Sequence, residues 1–352
     1  MAERCTRGAP RFDRVASFDA LLAAARRAAR GHGRGVGCCV FMLDLDAEIL
    51  ALERDLRTRR YVPGPYRSFV LHQPKPRRIC AAPFRDRVVH HALCAEIGPL
   101  LERGALSTSF ACRPGKGVHA ALRHVRRMVR RQRYALKLDI RHFFETLDHA
   151  VLLRRLGRRL RDEGLLWLVE RILQLGVPGS PPGKGVPIGN LTSQYFANFY
   201  LDPLDRFLCR ELRVAGHCRY MDDILIFGDT KSSLWRAWAH VRRFVAERLR
   251  LQLKDEVTRV MPTACGVPFT GFVVFPAFVR LDRARMRRWG RCLARLQRAV
   301  EQGRIDEETF ARAADSLVAW AAHANTDAWR RAWVRRRVGA ASRRGGQAQQ
   351  AG

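Results

Sequence analysis

The chain has 352 residues, with 65 lysines and arginines against 33 acidic residues, a formal net charge of +32 and a pI near 11.3. A folded protein this basic is expected to bind a polyanion, and the size of the excess favours nucleic acid over a membrane surface, although the dominance of arginine also reflects genome composition. No stretch approaches the ~20 uninterrupted apolar residues that span a bilayer, and the N-terminus lacks an export-signal pattern. We therefore expect a cytoplasmic protein without a membrane partner.

The N-terminal part is predicted to be helical and carries little recognisable chemistry. Phe18 to Arg30 and Asp44 to Arg57 have helical patterns. A basic, glycine-rich loop from Gly31 to Gly37 separates them, and it suits contact with an RNA backbone as well as it suits a disordered connection.

A basic cluster follows in an extended stretch interrupted by prolines. Its members are Lys75, Arg77, Arg78, Arg85 and Arg87. Arginine binds phosphate oxygens through a planar fork, so the cluster suits a phosphate-bearing ligand. A solvated basic face is equally typical of a chain with this charge.

A candidate carboxylate lies at the end of a predicted buried strand. Tyr134 to Ile140 has the strand pattern and delivers Asp139 at its end. Asp148 precedes a helical pattern from Ala150 to Leu160, which predicts a helix N-cap. Asp139 is therefore the ligand candidate of the two.

A loop rich in glycine and proline then leads into a helix. The loop begins at Gly183, and apolar residues recur at helical spacing from Ser193 to Leu208. Asn190, Ser193 and Gln194 lie at the start of this helix, where polar side chains suit contact with a nucleotide or a template base.

The most informative segment is Cys218 to Gly228, which reads C-R-Y-M-D-D-I-L-I-F-G. In a straight strand Asp222 and Asp223 would point to opposite faces. A tight hairpin turn, anchored by the apolar strand from Ile224 to Phe227, would keep both carboxylates close together. Repulsion between them is relieved by a proton or by divalent cations, and an oxygen-only cluster suits Mg²⁺. A solvated Asp-Asp turn is the alternative for the dipeptide alone.

The last part of the chain changes to arginine-rich helices. Met286, Trp289, Leu293, Leu296 and Val300 form one apolar stripe, and arginines fill the other faces. Asp306 is predicted to cap a second helix that reaches Ala324. The tail from Ser342 onward is rich in Gly, Gln and Ala and is predicted to be disordered.

The order of these motifs resembles the reverse transcriptases, and most closely those of diversity-generating retroelements. The resemblance covers roughly residues 60 to 280 in order and spacing, which is more specific than any single motif. The segments that carry it are Ala81 to Leu93, Ser109 to Ala121, the Asp139 strand, V-P-I-G-N-L-T-S-Q, Y-M-D-D, Leu253 to Val260 and Pro268 to Phe275.

The resemblance implies an α+β right-hand polymerase with fingers, an antiparallel-sheet palm and a helical thumb. We expect an N-terminal helical extension over residues 1–60, fingers and palm over 61–275, a thumb over 276–338 and a disordered tail over 339–352. The implied partners are a template RNA, a primer, dNTPs and the RNA–DNA duplex.

The same resemblance assigns site residues by position. It implies a catalytic triad of Asp139, Asp222 and Asp223. It also implies a site for two Mg²⁺ ions, for which Mn²⁺ can substitute, at these three aspartates and Ile140. Phe144 matches the bulky residue that excludes a ribose 2′-hydroxyl, while a core position is the alternative. Phe143 next to it is the expected core residue, because neighbours in an extended segment face opposite ways. The other implied nucleotide-binding residues are Arg77, Arg78, Ile188, Gln194 and Lys254.

Two departures from the wider family indicate the subgroup. Ile188-Gly189 stands where most reverse transcriptases have Gln-Gly, and Gln194 stands where they have proline. This pattern is similar to that of the diversity-generating enzymes, which copy RNA with errors concentrated at template adenines and work with a small basic accessory protein. The lost glutamine would have contacted the incoming nucleotide, so looser base selection is expected.

Two alternatives remain at the level of sequence. The first is a retron, group II intron or defence-associated reverse transcriptase, of which the intron type would need RNA-binding extensions. The second is a non-catalytic RNA-binding scaffold, which would have no reason to retain Asp139, Asp222 and Asp223.

Overall fold

A computed structural model of the chain describes residues 8–31, 35–72, 76–332 and 335. The predicted disordered tail and Lys75 lie outside the described residues.

The chain forms two compact units, and each is assembled from alternating segments. The first comprises Met1–Gly117, Leu138–Arg213 and Arg236–Thr258, and the second Val118–Lys137, Val214–Trp235 and Arg259–Gly352. The expected boundaries of fingers, palm and thumb stay a prediction.

The described residues form both α-helices and antiparallel strands, as the sequence predicts for an α+β fold. The α-helices are α1 (Phe12–Val15), α2 (Phe18–Ala29), α3 (Val36–Leu43), α4 (Leu45–Arg57), α5 (Phe84–Gly104), α6 (Val118–Arg131), α7 (Phe143–Thr146), α8 (His149–Leu160), α9 (Glu163–Gln174), α10 (Leu191–Arg206), α11 (Lys231–Leu249), α12 (Arg283–Glu301) and α13 (Glu307–Ala321). The strands are β1 (Arg67–Leu71), β2 (Arg77–Ala81), β3 (Tyr134–Leu138), β4 (Gly216–Tyr220), β5 (Asp223–Gly228), β6 (Arg259–Pro262), β7 (Val267–Phe269), β8 (Phe272–Val274) and β9 (Val279–Leu281).

The first unit is mainly helical, and its core forms around α5. Helices α2 and α10 both pack on α5, and α8 packs on α9. Gly98 of α5 allows the close approach of α10, because a Cβ at this position would lie 2.8 Å from the Tyr195 ring. The same unit carries the antiparallel hairpin of β1 and β2.

The second unit contains the two remaining sheets. One has four strands in the order β4-β5-β3-β6, and the other has three strands in the order β7-β8-β9. Helix α6 packs on β4 and β8. Its Met128 lies where a side chain at Gly216 of β4 would project, so glycine at this position lets the helix approach the sheet.

The helix predictions are largely confirmed. Asp148 accepts a hydrogen bond of 2.9 Å from the Val151 amide at the start of α8, and Asp306 accepts one of 2.7 Å from the Thr309 amide at the start of α13. Helix α10 begins at Leu191, two residues earlier than predicted, and continues into a π-helical turn over Phe207–Glu211. Helix α3 is not predicted by its sequence pattern, because V-G-C-C-V-F-M-L is almost uniformly apolar and shows no helical period.

Candidate active site

The two adjacent aspartates lie at a tight hairpin, as the sequence predicts. Tyr220 of β4 pairs with Asp223 of β5, so Met221 and Asp222 alone form the turn. Met221 has φ 55°, a left-handed conformation that is uncommon for residues other than glycine. The buried residues Ile224–Phe227 of β5 anchor this turn in the core of the second unit.

The Asp223 carboxylate is held by two neighbours. Lys137 Nζ, from β3, lies 2.9 Å from one carboxylate oxygen, and both side chains are largely buried. Lys137 also donates a 3.1 Å hydrogen bond to the carbonyl of Pro268. The Thr270 amide lies 3.5 Å from the other oxygen of Asp223. Asp223 is therefore an ion-paired carboxylate anchored within the second unit.

Asp139 follows β3 directly, and β3 lies between β5 and β6 in the sheet. Its carbonyl accepts a 2.8 Å hydrogen bond from the Lys254 amide, and Ile140 forms a bridge with Leu253. The buried Ile140 side chain is a hydrocarbon without an oxygen atom, so only the main-chain carbonyl of this residue could serve as an oxygen ligand. The structure thus brings Lys254 next to the backbone of Asp139.

The donor chemistry of the aspartates fits a hard divalent cation, because carboxylate and carbonyl oxygens are the ligands that Mg²⁺ prefers. Within the described ranges, no group of three or more His, Cys, Asp or Glu side chains is arranged to hold a metal ion. The Lys137 ammonium already engages one oxygen of Asp223.

Arg77 and Arg78 begin β2 on the exposed part of the β1–β2 hairpin, as expected for a basic surface in the first unit. Arg78 donates a 2.8 Å hydrogen bond to the carbonyl of Pro178.

The loop before α10 is tied to the same hairpin. The Cys80 amide donates a 3.0 Å hydrogen bond to the carbonyl of Ile188, and the Ala82 amide donates one of 3.3 Å to the Asn190 side chain. Gly189 has φ 123°, and a Cβ there would lie 3.0 Å from Ile79, so the position requires glycine. The structure therefore brings Ile188 beside the arginine-bearing strand.

Phe143 and Phe144 lie in the short helix α7. The prediction of an extended segment, in which the two side chains would face opposite ways, was therefore wrong. His142, with φ 46°, turns the chain out of β3 and starts this short helix. The assignment of Phe143 to the core is nevertheless confirmed, since it is buried while Phe144 is half-buried. The Phe144 carbonyl accepts a 2.7 Å hydrogen bond from the Val186 amide, which ties it to the loop of Ile188.

Gln194 is half-buried in the first turn of α10.

Lys137 and Thr270 are site residues that were not predicted from the sequence. Lys137 lies inside a buried strand, two residues before Asp139, and residues at i and i+2 of a strand share a face. This position could have indicated Lys137 as a site residue. Thr270 had no local signal, because its contact with Asp223 spans 47 residues.

An antiparallel sheet with paired aspartates at a hairpin turn is typical of a right-hand nucleic-acid polymerase. Residues 72–274, more than half of the chain, match the family described as "Reverse transcriptase (RNA-dependent DNA polymerase)". The chain belongs to the reverse transcriptase family.

Two relatives show how far the similarity extends. The chain is 24% identical to protein YkfC of Escherichia coli (strain K12) over 281 residues, 67% of this chain and 74% of that protein. It is also 24% identical to the group II intron-encoded protein LtrA of Lactococcus lactis subsp. cremoris over 170 residues. That match covers 46% of this chain but only 28% of LtrA.

Among solved structures, the chain is similar to apo telomerase from Candida tropicalis truncated from its C-terminal domain. The TM-score is 0.46 at 10% identity, covering 65% of this chain and 58% of that chain. None of the helices that the structure describes is long and apolar enough to cross a membrane.

Proposed function

We propose that the chain copies a template RNA into cDNA by two-metal nucleotidyl transfer. One observation carries the proposal: Asp222 occupies the turn of the β4–β5 hairpin, and the sheet order sets β5 beside β3, the strand that leads into Asp139. Membership of a family of RNA-dependent DNA polymerases supports it.

The proposed roles follow from the chemistry of each residue. Asp139 and Asp222 hold divalent ions, with the Ile140 carbonyl and Asp223 completing the metal site. Bound divalent ions would neutralise charge on the transferred phosphoryl group and activate the primer 3′-hydroxyl. Arg77 and Arg78 bind the triphosphate of the incoming nucleotide through their guanidinium forks.

The remaining proposed contacts surround the nucleotide. Phe144 occupies the space of a ribose 2′-hydroxyl, and Ile188 and Gln194 face the base and the template. Lys254, whose amide donates a hydrogen bond to the carbonyl of Asp139, contributes a positive charge near the phosphates.

Asp222→Ala should abolish dNTP incorporation on a primed RNA template, because a lost metal ligand removes stabilisation of charge in the transition state. Asp139→Ala should do the same. RNA affinity should remain, since it depends on many lysine and arginine contacts. Primer extension and filter binding would measure the two effects.

Asp229→Ala is the matched control, because Asp229 is an exposed carboxylate just beyond the opposite end of β5. It should extend primers like the wild type. Robust synthesis by the Asp222→Ala protein would contradict the two-metal assignment, and an inactive wild type that binds RNA would favour a non-catalytic scaffold.

We further propose that the enzyme is of the diversity-generating type and works with a small basic accessory protein. Support comes from Ile188-Gly189 and Ser193-Gln194, which replace the Gln-Gly and Ser-Pro of most reverse transcriptases. The second candidate is a group II intron or related reverse transcriptase, which the similarity to LtrA favours.

An error spectrum separates these two candidates. With Ile188 in place of glutamine, the incoming base is held by stacking and shape, and each ~1.4 kcal/mol of lost selectivity raises errors about tenfold. cDNA made on the native RNA should carry substitutions mainly opposite template adenines, and Ile188→Gln should reduce them. Deep sequencing of the cDNA measures this. Errors that are rare, or equal at all four template bases, would exclude the diversity-generating type.

A further inference from the structure

The turn between β7 and β8 is strained at the residue that contacts Asp223. Phe269 pairs with Phe272, so Thr270 and Gly271 alone form the turn. Both have positive φ, 47° and 82°. A β-branched residue is rarely found in this region, since its side chain crowds its own backbone. The buried Thr270 hydroxyl also finds no hydrogen-bond partner among the described residues. Such a conformation persists only where the surroundings hold it in place.

One side of the turn faces the candidate active site. The Thr270 amide points to one oxygen of Asp223, and Lys137 holds the other. Lys137 also bonds the carbonyl of Pro268 in β7. The turn, Lys137 and Asp223 therefore form one connected group directly beside the Met221–Asp222 hairpin.

The other side of the turn faces helix α12. The Asp282 amide, at the N-cap of α12, donates a 3.1 Å hydrogen bond to the carbonyl of Gly271. The guanidinium of Arg285, in the first turn of α12, fills the space that a side chain at Gly271 would occupy. Glycine is thus required at 271 both for its backbone conformation and for this contact.

Helix α13 completes the arrangement through Trp320. The Arg285 guanidinium lies 4.2 Å from the centre of the Trp320 ring, within cation–π range. Trp320 also stacks on Phe272 of β8, with ring centres 4.3 Å apart. Arg285 is therefore fixed between a strained turn and an aromatic ring.

We propose that Arg285 is a positioning residue for the polymerase reaction: clamped by Trp320, it fixes the Thr270–Gly271 turn, which in turn orients Asp223 and the catalytic hairpin. The inference rests on the proposed polymerase function. It assigns to α12 and α13 a role in setting the geometry of the active site in addition to any contact with the duplex.

The first test compares Arg285→Met and Arg285→Lys with Arg312→Met. Arg312, an exposed arginine of α13 paired with Glu308 of the same helix, controls for the loss of one positive charge. The kcat for dNTP incorporation at saturating duplex should fall about 3- to 30-fold in both Arg285 variants. Lysine should not rescue it, because it lacks the flat guanidinium. The Kd for primer–template and the kcat of Arg312→Met should stay near the wild-type values.

The second test is a double-mutant cycle between Arg285→Met and Lys137→Met. Because both residues act through Asp223, their effects on kcat should be clearly less than additive. Trp320→Leu, which leaves Arg285 in place but removes its clamp, should repeat the kcat loss if Arg285→Met is too unstable to assay.

Three outcomes would overturn the proposal: additive effects on kcat, a rise in the duplex Kd with unchanged kcat, or full rescue by lysine. Failure of the polymerase function itself is recognised separately, because the wild-type protein would then extend no primer.

Discussion

Phe143 and Phe144 are chemically identical neighbours with different surroundings. Phe143 packs against Tyr200, with ring centres 6.4 Å apart, and is 2% exposed. Phe144 is half-buried, and its carbonyl accepts a hydrogen bond from the Val186 amide in the loop that carries Ile188. Both lie in the short helix α7, and one side chain is partly exposed while the other is buried.

Phe144→Ala should therefore raise ribonucleotide incorporation relative to deoxynucleotide incorporation, because the smaller side chain no longer fills the space of a 2′-hydroxyl. The ratio of the two kcat/KM values measures this. Phe143→Ala is the matched control: it should cost about 3–5 kcal/mol of stability by leaving a cavity and should leave the sugar preference unchanged. An unchanged ratio in folded Phe144→Ala protein would return Phe144 to a purely structural role.

At the level of elements, α5 is the central helix of the first unit and carries a buried histidine. Burial, together with the neighbouring His91, lowers the pKa of His90 from 6.5 to about 3. Its Nδ1 atom has no hydrogen-bond partner among the described residues. The folded protein therefore holds this imidazole neutral where an unfolded chain would protonate it.

This difference predicts an acid-sensitive fold. Because the folded pKa lies below the unfolded one, the unfolded chain binds more protons between pH 6.5 and about 3, and stability falls as the pH drops through this window. Between pH 7.5 and 5, the protonation difference at His90 should lower the free energy of unfolding by ~2 kcal/mol. Urea unfolding at both pH values should show that His90→Leu loses less unfolding free energy on acidification than the wild type does.

Substitution of the exposed His240 by leucine should retain the wild-type pH dependence. Equal acid losses in His90→Leu and wild-type protein would show that other groups control the acid sensitivity.

At the level of the whole molecule, the net charge of +32 is concentrated in part on one helix. Helix α12 presents exposed arginines at steps of three and four residues, which align on one face. They are Arg283, Arg287, Arg291, Arg295 and Arg298. Their spacing suits the phosphates of a nucleic-acid backbone, whereas the half-buried Arg285 lies off this stripe.

Affinity for an RNA–DNA duplex should consequently fall steeply with salt. If 6–10 phosphates are contacted, about 10³–10⁵ in affinity is lost between ~50 and ~200 mM salt. The double variant Arg287→Met/Arg291→Met should lower the slope of log Kd against log salt by about 2, because each phosphate contact contributes nearly one unit. Fluorescence anisotropy at several salt concentrations measures the slope. An equal change for Arg26→Met/Arg30→Met, at the C-terminal end of α2, would show that the effect reflects net charge alone.

The sequence by itself determined the features that depend on short-range interactions. The turn at Asp222 follows from polar residues set between two strand patterns, and the caps at Asp148 and Asp306 follow from a carboxylate that accepts a nearby amide. The amphipathic stripe of α12 follows from its period. These need only a few neighbouring residues, and the order of motifs then sufficed to indicate the family.

Only the tertiary structure decided which groups surround those features. Lys137 and Asp223 are 86 residues apart, and their ion pair depends on the strand order of the sheet. The contact between the Thr270 amide and Asp223, and the bond between Cys80 and Ile188, depend likewise on how distant segments pack. Local pattern carries no information about such partners, because the free energy that selects them comes from burial and hydrogen bonding over the whole unit.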